Sequence, residues 1–102
     1  MKIVRKTYHD HNIYGSYWIT EGMVTWLFPE MAVVGLTPLD GERFLQIICS
    51  EVLEKGRIFA EGQGEMEWDG TTLRWIYYRN TLLVFYTPTM QASLDRVFHR
   101  SL

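Results

Sequence analysis

Residues 65–78 read EMEWDGTTLRWIYY, and this stretch predicts a β-hairpin. The central dipeptide, Asp69-Gly70, accepts the positive φ angles that a two-residue type I′ turn requires. A turn of that length sets Glu65 opposite Arg74, so that opposite charges face each other across the strands. The register predicts the pairs Trp68 with Thr71, Met66 with Leu73, and Glu65 with Arg74.

Strand character continues on both sides of this hairpin. After it, Arg79 to Thr81 turns the chain into a strand from Leu82 to Tyr86, which completes a meander. Before it, from Ile3 to Leu36, short runs of β-branched and aromatic residues alternate with polar or glycine-containing breaks. These runs predict four strands: Lys2 to Tyr8, Ile13 to Thr20, Met23 to Phe28 and Met31 to Leu36.

Two segments carry the periodicity of amphipathic helices. Asp40 is a suitable N-cap and Gly56 a suitable stop for a helix from Gly41 to Lys55. Thr87-Pro88-Thr89 starts a second helix, with Thr87 or Thr89 as its cap. The apolar side of this second helix carries Met90, Leu94, Val97 and Phe98.

The order of these elements predicts an α+β fold. We expect one domain, 1–102, with an antiparallel, meander-like sheet and two helices in the order ββββ-α-βββ(β)-α, because the turns between strands are too short for parallel crossovers. No internal repeat or linker is visible. The second half of the sheet has two apolar faces, one of which must be covered by the second helix, by the N-terminal strands or by another molecule, and we therefore expect a homodimer. The predicted faces are Met66, Trp68, Leu73, Trp75 and Tyr77 on one side, and Ile76, Tyr78, Leu83 and Phe85 on the other.

Composition places the chain among soluble globular proteins. Of its 102 residues, 47% are hydrophobic and 22% charged, which is far from the composition of disordered chains. The single cysteine, Cys49, cannot form an internal disulfide, and this favours the cytoplasm. The N-terminus lacks the apolar stretch of a signal peptide, and no apolar run is long enough for a membrane helix.

Charge is distributed unevenly along the chain. Residues 1–20 carry a net charge of +2, residues 21–69 carry −7, and residues 70–102 carry +3. An acidic middle block favours a protein partner with a basic surface. Nucleic acid is disfavoured by the pI of about 5.9, although a local patch could let bases stack. The residues of that patch are Lys2, Arg5, Lys6, His9 and His11, with Tyr8, Tyr14 and Tyr17.

Three groups of residues are candidates for chemistry, and each has a plainer structural interpretation. The sequence His9-Asp10-His11 puts two imidazoles on one side of a strand, but two ligands do not make a metal site. The alternating Glu65, Glu67 and Asp69 are typical of a charged solvent face beside Arg74, and Cys49 lies on the apolar arc of the first helix. We therefore predict no catalytic residue, no metal and no cofactor.

The aromatic content of 15%, with four tryptophans, is the clearest compositional excess. Trp and Tyr are favoured in protein interfaces and in ligand pockets. We predict a non-catalytic protein–protein interaction module of the adaptor, inhibitor, immunity or chaperone type, and the alternative is a small-molecule-binding domain or small enzyme with an aromatic-lined pocket. The predicted contact residues are Phe44, Ile47, Glu51 and Glu54 on the first helix, with Trp75 and Tyr77 on the sheet. The predicted pocket residues are Trp18, Trp26, Trp75 and Tyr86.

Overall fold

Six strands and two α-helices make up most of the computed structural model, which describes residues 1–10 and 13–98. The α+β class is confirmed. The strands are β1 (Lys2–Asp10), β2 (Ile13–Glu21), β3 (Glu30–Val34), β4 (Gln63–Trp68), β5 (Thr71–Tyr78) and β6 (Leu82–Tyr86). The helices are α1 (Pro38–Lys55) and α2 (Leu94–Phe98), and 3₁₀ turns cover Met23–Trp26 and Pro88–Ser93.

The strands form one mixed sheet in the order β1-β2-β3-β6-β5-β4. The expectation of a purely antiparallel sheet is wrong, because β3 and β6 pair in parallel, from Glu30 beside Leu82 to Val34 beside Tyr86. Short turns fix the direction of consecutive strands only. These two strands are separated by α1 and the β4–β5 hairpin, so no turn constrains their relative direction.

The two halves of the chain repeat one arrangement of three antiparallel strands followed by a helical segment. The order β1-β2-β3-β6-β5-β4 places the halves side by side across the parallel pair β3 and β6, so an operation that exchanges the halves while keeping the strand directions also exchanges the two faces of the sheet. This relation accounts for the position of α1 and α2 on opposite faces. Both helical segments begin with the same dipeptide, Thr37-Pro38 and Thr87-Pro88.

The predicted hairpin between β4 and β5 is confirmed in its register. Trp68 pairs with Thr71, Met66 with Leu73, and Glu65 with Arg74. Asp69 and Gly70 have φ angles of 51° and 79°, which are the two positive values that a type I′ turn requires.

Each face of the sheet packs under its own helical segment. On the α1 face, Phe44 and Ile48 of the helix contact a cluster that includes Val33 and Phe85. On the α2 face, Phe98 packs edge-on against Tyr17, with ring centroids 4.9 Å apart. The prediction that put Leu83 and Phe85 with Ile76 and Tyr78 is wrong, because Trp75 pairs with Phe85 and directly paired residues share a face.

Both helices begin differently from the prediction. Thr37 rather than Asp40 caps α1, and its Oγ1 accepts a hydrogen bond from the Asp40 N–H at 3.3 Å. Pro38 then occupies the first turn, where its fixed φ suits a helix start. The helix ends as predicted at Gly56, with φ of 69°. The second helical segment opens with the 3₁₀ turn Pro88–Ser93 before it becomes α2.

The predicted strand from Met23 to Phe28 is also wrong. Residues Met23–Trp26 form a 3₁₀ turn that lies between Gly22 and Leu27, both in left-handed backbone conformations. The aromatic and β-branched composition of this segment is typical of a strand. Hydrogen bonds to a side chain further along the chain override that preference, and they also shape the surface described next.

Candidate functional site

Exposed apolar side chains cluster at one end of the sheet. Four of them, Val24, Trp26, Leu27 and Phe28, follow each other closely in the loop between β2 and β3, and Ile58 joins them from the segment after α1. Leu27 is 94% exposed and Ile58 86% exposed. We call these five residues the apolar rim. Contiguous exposed apolar surface on a soluble protein often marks a binding site.

The carboxylate of Glu30, at the start of β3, holds this loop in place. It accepts hydrogen bonds from the N–H of Met23 at 2.7 Å and from the N–H of Gly22 at 2.9 Å. The hydroxyl of Thr20 donates a third bond at 3.2 Å and accepts one from the N–H of Met31. The side chain of Met23 is fully buried in the core below. The base of the loop is therefore fixed, and its apolar residues are directed outward.

Leu27 has a backbone conformation that is unfavourable for its residue type. Its φ of 63° lies in the left-handed region, which a leucine seldom adopts outside a constrained turn. Two backbone hydrogen bonds impose the conformation, from Leu27 N–H to the Val24 carbonyl and from Phe28 N–H to the Met23 carbonyl. Strain of this kind is concentrated at functional positions. Here it presents a leucine side chain to solvent where glycine would be easier to accommodate.

A cavity of about 80 Å³ lies beside the rim. Its walls are mostly apolar, and they come from the β2–β3 loop, β3, the end of α1, the following segment, β5 and β6. This volume is below the roughly 300 Å³ at which pockets for small organic ligands begin, and it suits the end of one apolar side chain. Lining residues include Phe28, Met31, Val52, Ile58, Phe59 and Leu83.

An open groove of about 500 Å³ adjoins the cavity and shares Pro29 and Tyr77 with it. The groove is more polar, since Glu61 and Asn80 are among its lining residues. An apolar centre with a polar margin is the usual composition of a protein–protein interface. The carboxylate of Glu61 gives this margin a negative group.

Two charged residues, Glu51 of α1 and Arg57 just after it, pair with each other beside the cavity. Arg57 lines the cavity, and its guanidinium donates to Glu51 at 2.7 Å and lies 4.7 Å above the ring of Phe59. The predicted contact residues Ile47, Glu51 and Glu54 follow one another at helical spacing along the outer side of α1. Phe44 is not among them, since it is fully buried and packs edge-on against Phe85.

The other two predicted contact residues, Trp75 and Tyr77, are half-buried on the α1 face of the sheet. Trp75 Nε1 donates to the carbonyl of Ala60 at 3.2 Å, and the hydroxyl of Tyr77 donates to the carbonyl of Phe59 at 2.8 Å. The segment after α1 therefore covers part of both rings. Tyr77 remains at the wall of the cavity.

The four predicted pocket residues do not come together. Trp18 and Trp75 lie on the α1 face, but β3 and β6 separate their strands. Tyr86 points to the opposite face, where it belongs to the α2 cluster. Trp26 lies in the apolar rim. Trp18 has a structural contact, because its Nε1 donates to the carbonyl of Pro38 at 2.7 Å.

The polar residues that the sequence offers as candidates for chemistry make structural contacts. His9 stacks on Tyr14 with ring centroids 4.3 Å apart, and His11 lies outside the described residues. Within residues 1–10 and 13–98, no three His, Cys, Asp or Glu side chains are grouped closely enough to hold a metal ion. Glu65 pairs with Arg74 at 3.3 Å. Burial, with a smaller contribution from Glu30, raises the pKa of Cys49 to about 11, so this thiol is uncharged near neutral pH.

Sequence reasoning missed the residues that define this surface. Leu27 and Ile58 are not among the predicted contact residues, and Glu30 falls in the break between two predicted strands. A signal was present in the sequence, since residues 24–28 are rich in large apolar side chains and lie between Gly22 and Pro29. Turn residues at both ends of so short a segment are compatible with a loop as well as with a strand.

Residues 1–10 and 13–98 form a mixed six-stranded α+β fold with an apolar rim and cavity at one end. No protein-family model, curated protein or solved structure matches it. Among the helices of the described residues, none is both long enough and apolar enough to cross a membrane.

Proposed function

We propose that this protein is a non-catalytic protein-binding module that docks a partner on the apolar rim. The observation that carries the proposal is the position of Leu27, which is almost fully exposed in a strained backbone and has large apolar neighbours. Burying such side chains against a partner contributes about 25 cal/mol per Å² of apolar surface. The small cavity beside the rim accepts one apolar side chain of the partner.

The partner that fits this surface carries an apolar side chain next to a basic group. The apolar side chain enters the cavity between Phe28 and Ile58, and the basic group approaches Glu61 in the adjoining groove. The outer side of α1 adds Glu54, which is exposed, and Glu51, which is paired with Arg57. Charge complementarity of this kind increases the association rate and the specificity. A cytoplasmic location is part of the proposal and rests on the lone cysteine.

The alternative function is small-molecule binding. The apolar cavity, at about 80 Å³, is well below the volume of pockets for metabolite-sized ligands, and the groove of about 500 Å³ beside it is open to solvent. Protein binding is therefore proposed ahead of small-molecule binding. A panel of metabolites tested by tryptophan fluorescence separates the two functions. A saturable change that survives Leu27→Asp would favour the small-molecule alternative.

The experiment is affinity capture of tagged protein from a lysate of its source cells, with the double variant Leu27→Asp and Ile58→Asp beside the wild type. The matched control is Leu39→Asp, since Leu39 is a leucine that is 75% exposed at the far end of α1. We expect the wild type and the control to retain the same partner, and the double variant to lose it. Equal retention by all three proteins, or no partner on the wild type, would contradict the proposal.

A further inference from the structure

The two edges of the sheet have opposite charge. The first edge strand, β1, carries Lys2, Arg5 and Lys6, all exposed. The other edge strand, β4, carries Glu65 and Glu67, also exposed. An edge strand offers unpaired peptide groups to any strand that approaches it. The charges of the side chains along the edge then determine which approaching strand pairs with it.

Four of these charged side chains lie on the same face of the sheet, whereas Arg5, which pairs with Trp18, lies on the α1 face. Lys6 pairs with Tyr17, and Glu65 pairs with Arg74, which in turn pairs with Tyr86. Tyr17 and Tyr86 both belong to the cluster under α2. Because side chains alternate along a strand, Lys2, Lys6, Glu65 and Glu67 all lie on this α2 face.

The two edge strands also run in the same direction. Going across the sheet, β1 is antiparallel to β2, β2 to β3, β6 to β5 and β5 to β4, while β3 and β6 are parallel. It follows that β1 and β4 are parallel to each other. A second copy in the same orientation can therefore place its β4 beside β1 of the first copy, as a parallel pair that continues the sheet. The α1 faces of the two copies then lie on the same side of the sheet, and the lysines of β1 lie beside the glutamates of β4.

The peptide groups of β4 are suitably oriented for this pairing. Tyr77 N–H donates to the carbonyl of Gly62 at 3.1 Å, which makes these two residues a hydrogen-bonded pair. In an antiparallel ladder such pairs alternate, so Gln63, Glu65 and Glu67 direct their N–H and carbonyl groups to the open edge. The residues with free peptide groups are thus the ones that carry the carboxylates.

We propose that copies of this chain associate head to tail, with β1 of one copy paired in parallel with β4 of the next. Symmetric pairing of β1 with β1, or of β4 with β4, is opposed by like charges. The interface is heterologous, so it leaves one edge of each kind open and yields a chain of copies or a closed ring. This proposal uses other residues than the apolar rim and does not depend on the proposed function.

The test is sedimentation velocity of the wild type over a range of concentrations at about 20 mM and about 500 mM salt. We expect the average mass to rise above 12.1 kDa with concentration at low salt, and the association constant to fall about tenfold or more at high salt. A wild type that stays monomeric at low salt overturns the proposal.

Charge-reversed variants identify the interface. We expect Lys2→Glu with Lys6→Glu, and separately Glu65→Lys with Glu67→Lys, to be monomeric because each protein then has two edges of one sign. An equimolar mixture should associate again, since the acidic edges of one variant match the basic edges of the other, and this recovery requires both variants to be folded. The control, Glu42→Lys with Glu54→Lys on α1, should associate like the wild type, as should Leu27→Asp. Association of either charge-reversed variant by itself, or no association when the two are mixed, overturns the proposal.

Discussion

The side chain of Glu30 accepts a 2.7 Å hydrogen bond from the backbone N–H of Met23, and this contact joins the start of β3 to the loop that precedes it. Met23 is buried, whereas the residues that follow it form the exposed apolar rim. We therefore expect this one carboxylate to hold residues 24–28 in the conformation that presents them as a surface. The structural basis of the proposed function lies in this contact.

Replacing Glu30 with alanine should loosen the loop. The substitution removes the acceptor of three hydrogen bonds, and bonds to charged groups contribute about 1.5–3 kcal/mol each when they are lost singly. We expect the free energy of unfolding in urea to fall by about 2 kcal/mol or more. Amide exchange at Gly22 and Met23 should accelerate. Glu21→Ala removes an exposed carboxylate from the end of β2 and is the control; an equal effect of both variants would contradict the role of Glu30.

Replacing Tyr78 with phenylalanine should weaken the attachment of α2. The hydroxyl of Tyr78 donates to Asp95 Oδ1 at 2.6 Å, and the ring is buried against Phe98. We expect a loss of about 1–2 kcal/mol at pH 7 by chemical denaturation, because the acceptor is a carboxylate. Tyr14→Phe, at an exposed position, should have no comparable effect.

The Tyr78 effect should also depend on pH. Burial, followed by the hydrogen bond to Asp95, raises the pKa of Tyr78 above 10 in the folded protein. The contribution of this hydroxyl to stability is complete at pH values below the pKa of tyrosine in the unfolded chain, which is about 10. It declines as the pH rises above that pKa, because Tyr78 then loses its proton more readily in the unfolded chain than in the folded protein. The difference in unfolding free energy between wild type and Tyr78→Phe should therefore shrink above pH 10. A difference that grows there would contradict this assignment.

Replacing Leu27 with glycine should reduce partner binding and leave the stability of the fold nearly unchanged. Glycine adopts a φ of 63° without steric cost, so the substitution relieves backbone strain in the folded protein. This relief offsets the greater conformational entropy that glycine gives to the unfolded chain. We expect the free energy of unfolding to stay within about 1 kcal/mol of the wild type. Partner binding in the capture assay should be strongly reduced, because the exposed side chain is gone. Unchanged binding would remove Leu27 from the contact.

Cys49 should resist modification in the native protein. Burial and the nearby Glu30 charge raise its pKa to about 11, and the thiolate is the reactive form. At pH 8 only about one thiol in a thousand is ionised. We expect a disulfide reagent to react at least about a hundredfold more slowly with native than with urea-unfolded protein. Rates within tenfold of each other would contradict the assigned environment.

Local signals in the sequence were sufficient for the elements that local interactions determine. Asp69-Gly70 fixed the turn and register of the β4–β5 hairpin, and Gly56 marked the end of α1, because both depend on positive φ angles. The α2 cluster was also predictable, since Leu94, Val97 and Phe98 share one side of a helix.

The misplaced elements depend on contacts between distant parts of the chain. No local pattern indicates that β3 lies parallel to β6, or that the two halves repeat one arrangement. Residues 23–28 have strand composition, and only the reach of Glu30 back to Gly22 and Met23 makes them a turn. The apolar rim was missed for the same reason, because a strand would have buried alternate side chains of this segment.

The most direct test of the central claim is photo-crosslinking from the rim. Leu27 is replaced by a photoreactive benzoylphenylalanine, and the same replacement at Leu39 provides a control with similar exposure at the other end of α1. After irradiation with the captured partner, we predict a covalent adduct of one defined mass from position 27 and none from position 39. Adduct from position 39 alone, or equal adduct from both, would contradict docking at the apolar rim.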